Sequence, residues 1–307
     1  MLLETTHSVQ VVGLGQACVD YLGRLPDFPA EDEKVELEEL LISCGGPAAT
    51  AMVTLSRLGV STTFLGSLSD DPFGVRIVEG LKAEDVDISC LKITPGHSSQ
   101  FAFIAVTGEG GKRTIFWKRS SAPALLPDDV LLTHFPNARM LHIDGLMIEA
   151  SRAAASTARE RGMTVVMDAG TLRQGTLELV SLVDVLIGSE RFAESLSESG
   201  FTYEETLQKV LSMGPRQVVF TLGSNGSVGL DPNGVVHEKA FKVASRDTTG
   251  AGDVYHGAYI YGLLQGWDMA ACMRFGSAAA AVKCAHGGGW RGIPDLQAVH
   301  DLMHGVA

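Results

Sequence analysis

Between Met140 and Thr221 four short apolar runs alternate with three helical stretches, and no other feature constrains the fold so much. The runs are Met140–Ile143, Thr164–Met167, Val183–Ile187 and Gln217–Thr221; the helical stretches are Ser151–Arg161, Glu190–Leu196 and Glu204–Leu211. Repeated strand–helix–strand units return to parallel neighbours, so they predict a parallel sheet with helices on both faces. Val9–Val12, ending in Gly13-Leu14-Gly15, and Thr62–Leu65 read as further strands. Between them a helix is expected over Ala48–Leu58, entered at Gly45-Gly46-Pro47 and stopped at Gly59. Phe73–Ala83 is a second early helix, and the last third reads as almost all helical (Ala251–Gln265, Met269–Ala285, Asp295–Met303).

Two β-rich patches interrupt this rhythm. Tyr21–Ser43 holds prolines, a charged cluster and the alternating run Lys34–Leu41, and suits exposed strand better than a crossover helix. Ser98–Arg119 holds two strand-like runs joined by GEGGK, a hairpin signature. These discontinuous segments, about 16–44 and 97–120, are expected to pair as a small β lid on a single domain spanning 1–307. Two short sheets with apolar faces would be poorly covered alone, so a homodimer through the lids is expected; Trp117, Phe101 and Phe103 line either a sugar face or that interface, and the interface is the favoured reading.

The formal net charge of -12 argues against a polyanionic partner, so nucleic acid is not expected. No apolar run reaches the roughly 18 residues that span a bilayer, so no membrane partner is expected either. Five cysteines without a CxxC pair, and a start (MLLETTHSVQ) without the charge pattern of a secretory signal, predict reduced thiols in the cytoplasm.

The chemistry concentrates in Arg246-Asp247-Thr248-Thr249-Gly250-Ala251-Gly252-Asp253, between the strand-like run Phe241–Ser245 and the helix that follows. Glycines flanking a small residue let backbone amides approach a ligand, and a helix N-terminus attracts an anion. A carboxylate in the same turn repels a passively held phosphate, but it suits a base acting on the attacking hydroxyl. On that reading Asp253 takes the proton while the amides of Gly250, Ala251 and Gly252 stabilise the transferring group. The bland alternative is a tight turn with a first-turn helix charge.

DTTGAGDVYHGAY resembles the C-terminal signature of the PfkB/ribokinase family of sugar and nucleoside kinases. GGPAAT at 45–50, Leu58-Gly59, Phe64-Leu65-Gly66 and Asp70-Asp71-Pro72-Phe73-Gly74 resemble its first signature, so the likeness covers essentially the whole chain. The resemblance implies a ribokinase-like, Rossmann-like α/β core with a β-sheet lid. It implies an ATP-dependent kinase with Mg²⁺, acting on a small-molecule sugar, with Asp253 as base and Gly250–Gly252 as anion hole. It places Asp20, Gly45, Gly46, Thr50 and Gln100 at the substrate. Thr221, Gly223 and Gly226 match a TxGxxG nucleotide segment, and Ser189 stands near it.

Several positions depart from the family pattern. Thr50 replaces a frequent Asn. In the Asn-x-x-Glu stretch that organises Mg²⁺, Ser189 stands for Asn and Phe192 for Glu, leaving Glu190 to act through water. A monovalent cation, K⁺ in many members, is expected near Asp247, Thr249 and the loop Lys283–Gly292. GGPAATA, SSQ at 98–100 and GGGWRGIPD at 287–295 look closest to the sulfofructose kinase and fructokinase-like branch, yet Leu146 lies where a sulfonate-binding arginine is expected. Arg113 and Lys118 on the lid can supply charge instead, and a ketohexose or related sugar is favoured. Asp168 and Arg173 resemble the D-x-x-x-x-R stretch of acid-sugar kinases. A nucleoside kinase, or a ligand sensor on a kinase fold, are the alternatives. Gly13-Leu14-Gly15 fails as a dinucleotide fingerprint because Cys18 takes the third glycine position. His256 reads as a packing residue.

Overall fold

The computed structural model describes residues 9–108, 112–197 and 202–306. The MLLETTHS start and the 109–111 tip of the expected GEGGK turn lie outside the described residues. Strand β1 (Val11–Leu14) passes through residues 15–17 straight into β2 (Cys18–Leu25), and β3 (Glu39–Gly45) returns antiparallel with Cys18 opposite Gly45. Helix α1 (Pro47–Arg57) follows at once, with proline at its start, where a missing amide hydrogen costs nothing. Strand β4 (Thr62–Leu65) is followed by β5 (Ser67–Leu68), α2 (Pro72–Ala83) and β6 (Lys92–Ile93), which pairs with β5. The Asp71 carboxylate caps α2 by accepting from the Gly74 amide. Next come β7 (Phe101–Thr107) and β8 (Lys112–Lys118), an antiparallel pair.

The regular part runs β9 (Met140–Ile143), α3 (Ile148–Glu160), β10 (Thr164–Ala169), α4 (Thr176–Val180), β11 (Val185–Ser189), α5 (Glu190–Ser195), α6 (Tyr203–Leu211) and β12 (Gln217–Thr221). Here the expected alternation is what forms. The expectation of an almost wholly helical last third is overturned: β13 (Ser227–Asp231) and β14 (Gly234–Glu238) add an antiparallel hairpin. Its turn contains Asn233-Gly234, with Asp231 accepting from the Asn233 amide and Gly234 at φ 123°, a conformation glycine adopts without penalty. Phe241–Ser245 and residues 34–38 are irregular rather than strand. Helices α7 (Ala251–Leu264), α8 (Met269–His286) and α9 (Leu296–His304) complete the chain.

The large sheet has the order β14-β13-β12-β11-β10-β9-β1-β4, parallel except at the β12–β13–β14 edge. Its central strands are buried on both faces. Val11, Val166 and Ile187 pack toward α1, α7 and α8, whereas Val12, Leu14, Val165 and Leu186 pack toward α3, α5 and α6. Because β1 has β4 on one side and β9 on the other, the strand order reverses at β1. In open α/β sheets the crevice at such a reversal is where ligands bind. The small sheet, β3-β2-β7-β8, has its own apolar patch of Leu22, Ala102, Ile104 and Val106, and every residue of β8 is exposed. No helix among the described residues is long and apolar enough to cross a membrane.

Candidate active site

The turn before α7 lies beside the first residues of α1. Gly250 adopts φ 76°, in the left-handed region, and α7 starts at the next residue. A Cβ added at Gly252 would meet nothing within 4 Å, so that backbone is open to an incoming group. Of the three amides expected to form an anion hole, that of Ala251 is turned back into the loop, donating to the Thr248 carbonyl at 3.2 Å. The site's amide dipoles therefore rest on Gly250, Gly252 and the helix start itself.

Asp253, in the first turn of α7, converges with Asp168 at the end of β10 and His256 one turn further along α7. One ligand atom from each lies within 4.8 Å of the others. His256 Nδ1 is 3.6 Å from Asp168 Oδ2, and its Nε2 lies 3.3 Å from the Ile187 carbonyl, which can only accept. His256 is buried, as a packing residue would be, and lies beside both carboxyl groups. Burial lowers its pKa against the opposing pull of the Asp253 charge. Burial raises both carboxyl groups, and for Asp253 the charge of Asp168 raises it further while His256 and Arg113 oppose. Two carboxyl groups this close favour holding one proton between them, which suits proton removal from a neutral hydroxyl near pH 7.

Asp20 sits on β2 facing Gly45. A Cβ at Gly45 would stand 2.1 Å from Asp20 Oδ2, so glycine there makes the room this carboxylate occupies. The Cys18 thiol donates to Asp20 Oδ1 at 3.1 Å, and burial pushes the Asp20 pKa up to about 6. Asp144 follows β9 and accepts from the Gln16 amide at 2.6 Å and the Leu146 amide at 3.1 Å; burial still pushes it up to about 7. Gly46, at φ 99°, lets α1 start against the Gln16 carbonyl. Gln100 donates to the Gln16 side chain at 3.2 Å. The Thr50 hydroxyl accepts from Trp290 Nε1 at 2.9 Å, a partner 240 residues away that no local pattern points to. Arg113 reaches from β8 across to the turn and donates to the Thr248 hydroxyl at 2.7 Å.

A cavity of about 140 Å³ at the strand ends is lined by Asp144, Met167, Asp168, Thr171 and Arg173, among others. A larger one, about 420 Å³, opens between the small sheet and the C-terminal loop beside Arg24, Arg246, Asp247 and His286. The smaller cavity includes Asp168 of the cluster formed with Asp253 and His256.

The 189–192 stretch does not form a protein-held metal site. The Ser189 hydroxyl is occupied, donating to the Gly170 carbonyl and accepting from the Phe192 amide as cap of α5. Glu190 accepts from the Tyr203 hydroxyl at 2.7 Å, and Phe192 is fully buried in the core. The Thr221 hydroxyl donates to the Gly188 carbonyl at 3.3 Å. Gly223 and Gly226 take φ 58° and 93°, and a Cβ at Gly226 would strike the Glu238 carbonyl.

The sequence pattern of the pfkB family carbohydrate kinases matches residues 9–296, and the chain belongs to that family. Among its relatives, the ribokinase of Staphylococcus aureus (strain COL) is 29% identical over 307 residues, covering 95% of this chain and 99% of that protein. The 5-dehydro-2-deoxygluconokinase of Clostridium perfringens (strain 13 / Type A) is 30% identical, covering 84% and 83%. The fold matches Arabidopsis thaliana ribokinase, solved with ribose and ATP, at a TM-score of 0.81 and 23% identity over 96% of this chain and 99% of that one. An E. coli chain solved with ATP and Mg²⁺ gives a TM-score of 0.84 at 23% identity over the same shares.

Proposed function

We propose that this carbohydrate kinase transfers the γ-phosphoryl group of ATP to a hydroxyl of a ketohexose or closely related sugar. The observation that carries this reading is the convergence of Asp253, its proton affinity raised by burial and by Asp168, on an open glycine turn at a helix start. Asp253 removes the proton of the attacking hydroxyl as the new oxygen–phosphorus bond forms. The Gly250 and Gly252 amides and the α7 dipole favour the charge on the transferring group. Asp20 accepts from sugar hydroxyls, with Gly45 and Gly46 allowing close approach; Gln100 and Thr50 shape the same wall.

The small sheet acts as a lid, and Arg113 ties it to the phosphate turn through Thr248. Ser189, Thr221, Gly223 and Gly226 form the nucleotide side. Bound Mg²⁺ would neutralise phosphate charge. The occupied side chains at 189–192 fit an ion carried on the nucleotide phosphates, with Glu190 reaching it through water. A homodimer through the exposed β8 strands covers the lid's open edge, where Ile115, Phe116 and Trp117 are about half exposed.

A second reading, a deoxy-sugar acid of the kind named for the C. perfringens relative, is favoured by Arg173 lining the smaller cavity with Asp144 and Asp168. That polar lining is a poor match for a nucleoside base. The test is ADP release with ATP and Mg²⁺ over ketoses, aldoses, sugar acids, a sulfosugar and nucleosides, repeated with Asp253→Asn. Turnover on a sugar that falls by about 10²- to 10⁴-fold in the variant, with ATP binding retained, is expected. Near-normal kcat in Asp253→Asn would remove Asp253 as base. Tight ATP binding with no turnover on any compound would favour a sensor.

A further inference from the structure

Lys283 is the most deeply buried charged residue of the described chain, 1% exposed at the C-terminal end of α8, and its Nζ has no hydrogen-bond partner. A buried ammonium survives only beside a counter-charge, because removal from water otherwise costs several kcal/mol. The carboxylate it faces is Asp247, with Nζ 3.7 Å from Oδ2. Asp247 is the first acidic residue of the glycine turn. Its Oδ1 accepts from the Thr249 amide at 2.8 Å and its Oδ2 from the Gly288 amide at 3.2 Å. The Arg246 amide in turn donates to the Cys284 carbonyl at 2.8 Å. One carboxylate thus fastens the turn before α7 to the loop after α8, and its charge is the main influence that opposes the lowering of the Lys283 pKa by burial and favours an ammonium there.

This is the place where the family resemblance leads one to expect a monovalent cation, near Asp247, Thr249 and the loop 283–292. The residues present do not fit one. An added ion would approach Asp247 against the charge of Lys283, and Arg113 acts on the same region with the same sign.

We propose that the Lys283 ammonium takes the place of a monovalent cation at Asp247, so that the turn carrying Gly250 and Gly252 is held by a covalently attached charge and the protein works without K⁺. Lys283 is a positioning residue: it acts on the phosphate turn through Asp247. The inference rests on the kinase reading above, but it is tested by observables that do not need a sugar.

The experiment compares wild type with Lys283→Ala and Lys283→Met in tetramethylammonium, Na⁺, K⁺ and ammonium chlorides at matched ionic strength. It reads melting temperature, ATP affinity by calorimetry, and kcat on the best sugar. For wild type all three are expected to be the same in every salt. Lys283→Ala leaves a buried carboxylate with room beside it. In tetramethylammonium it should lose activity or ATP affinity on the order of tenfold, within the usual span of a coupling between sites. K⁺ or ammonium should restore most of that loss and raise its melting temperature. Lys283→Met, which fills the space with apolar atoms, should not be rescued. A several-fold rise in wild-type activity or ATP affinity with K⁺ would overturn the proposal. So would a folded Lys283→Ala that resembles wild type in all salts, or one that no cation restores. If neither variant folds, the wild-type salt series decides alone. Absence of turnover on every sugar, with these cation responses as expected, would count against the substrate assignment and leave the role of Lys283 standing.

Discussion

Replacing Asp168 by Asn removes a negative charge from beside Asp253 at almost constant shape. The three groups of the cluster lie within 4.8 Å of one another. At that separation two unit charges repel by about 0.9 kcal/mol in water-like surroundings and about 3.5 kcal/mol at an effective dielectric constant of 20. Those limits correspond to about 0.6 and 2.5 pKa units. The sign follows from the chemistry. A base works when deprotonated, so activity falls as pH drops through the pKa of Asp253, which burial and Asp168 push up to about 7. Without the Asp168 charge, Asp253 releases its proton more easily, and the acid limb should move to lower pH by an amount between those limits. The assay is kcat/KM for the best sugar from pH 5 to 9, with stability at each pH checked by circular dichroism. His256, Arg113 and Asp20 also act on Asp253 and are unchanged in the variant, so the shift isolates Asp168. An acid limb that stays in place, or moves to higher pH, would refute mutual repulsion as a cause of the raised proton affinity.

Gly45→Ala should abolish measurable sugar binding by isothermal calorimetry while leaving ATP binding near wild type, because its Cβ would stand where Asp20 Oδ2 lies. Gly252→Ala meets no protein atom, so its thermal stability should be unchanged or raised by up to about 1 kcal/mol from better helix propensity, while kcat drops if phosphate packs on that backbone. If the protein pairs through its lids, Trp117→Glu on the exposed β8 should lower the sedimentation coefficient from dimer to monomer, and an unchanged coefficient would refute the lid-paired dimer.

The α/β core was legible because its strands and helices carry their own local periodicity, and the glycine turn because backbone conformation demands glycine at Gly250. The β13–β14 hairpin was missed although Asn233-Gly234 is a turn signal; Gly229 and Pro232 broke the strand pattern leading into it. His256 and Lys283 have carboxylate partners that were not legible, for a different reason. Each sits in a helix buried nearly all round, where polar positions carry no periodicity, and each meets its carboxylate across a long stretch of chain. Helical spacing did hold one unused clue, since Asp253 and His256 are three residues apart and share a face.

The first strand of the large sheet runs without a break into the small one through Gly15, Gln16 and Ala17. Gln16 alone holds Asp144 by its amide, Ala49 by its carbonyl and Gln100 by its side chain. The cover is therefore geared to the floor: swinging one must tug on the carboxylate and helix start that form the other. If the small sheet closes over a bound sugar, a sugar that props it at the wrong angle should be penalised at Asp144 and the start of α1 without touching them, which would make selectivity a mechanical property as much as one of fit.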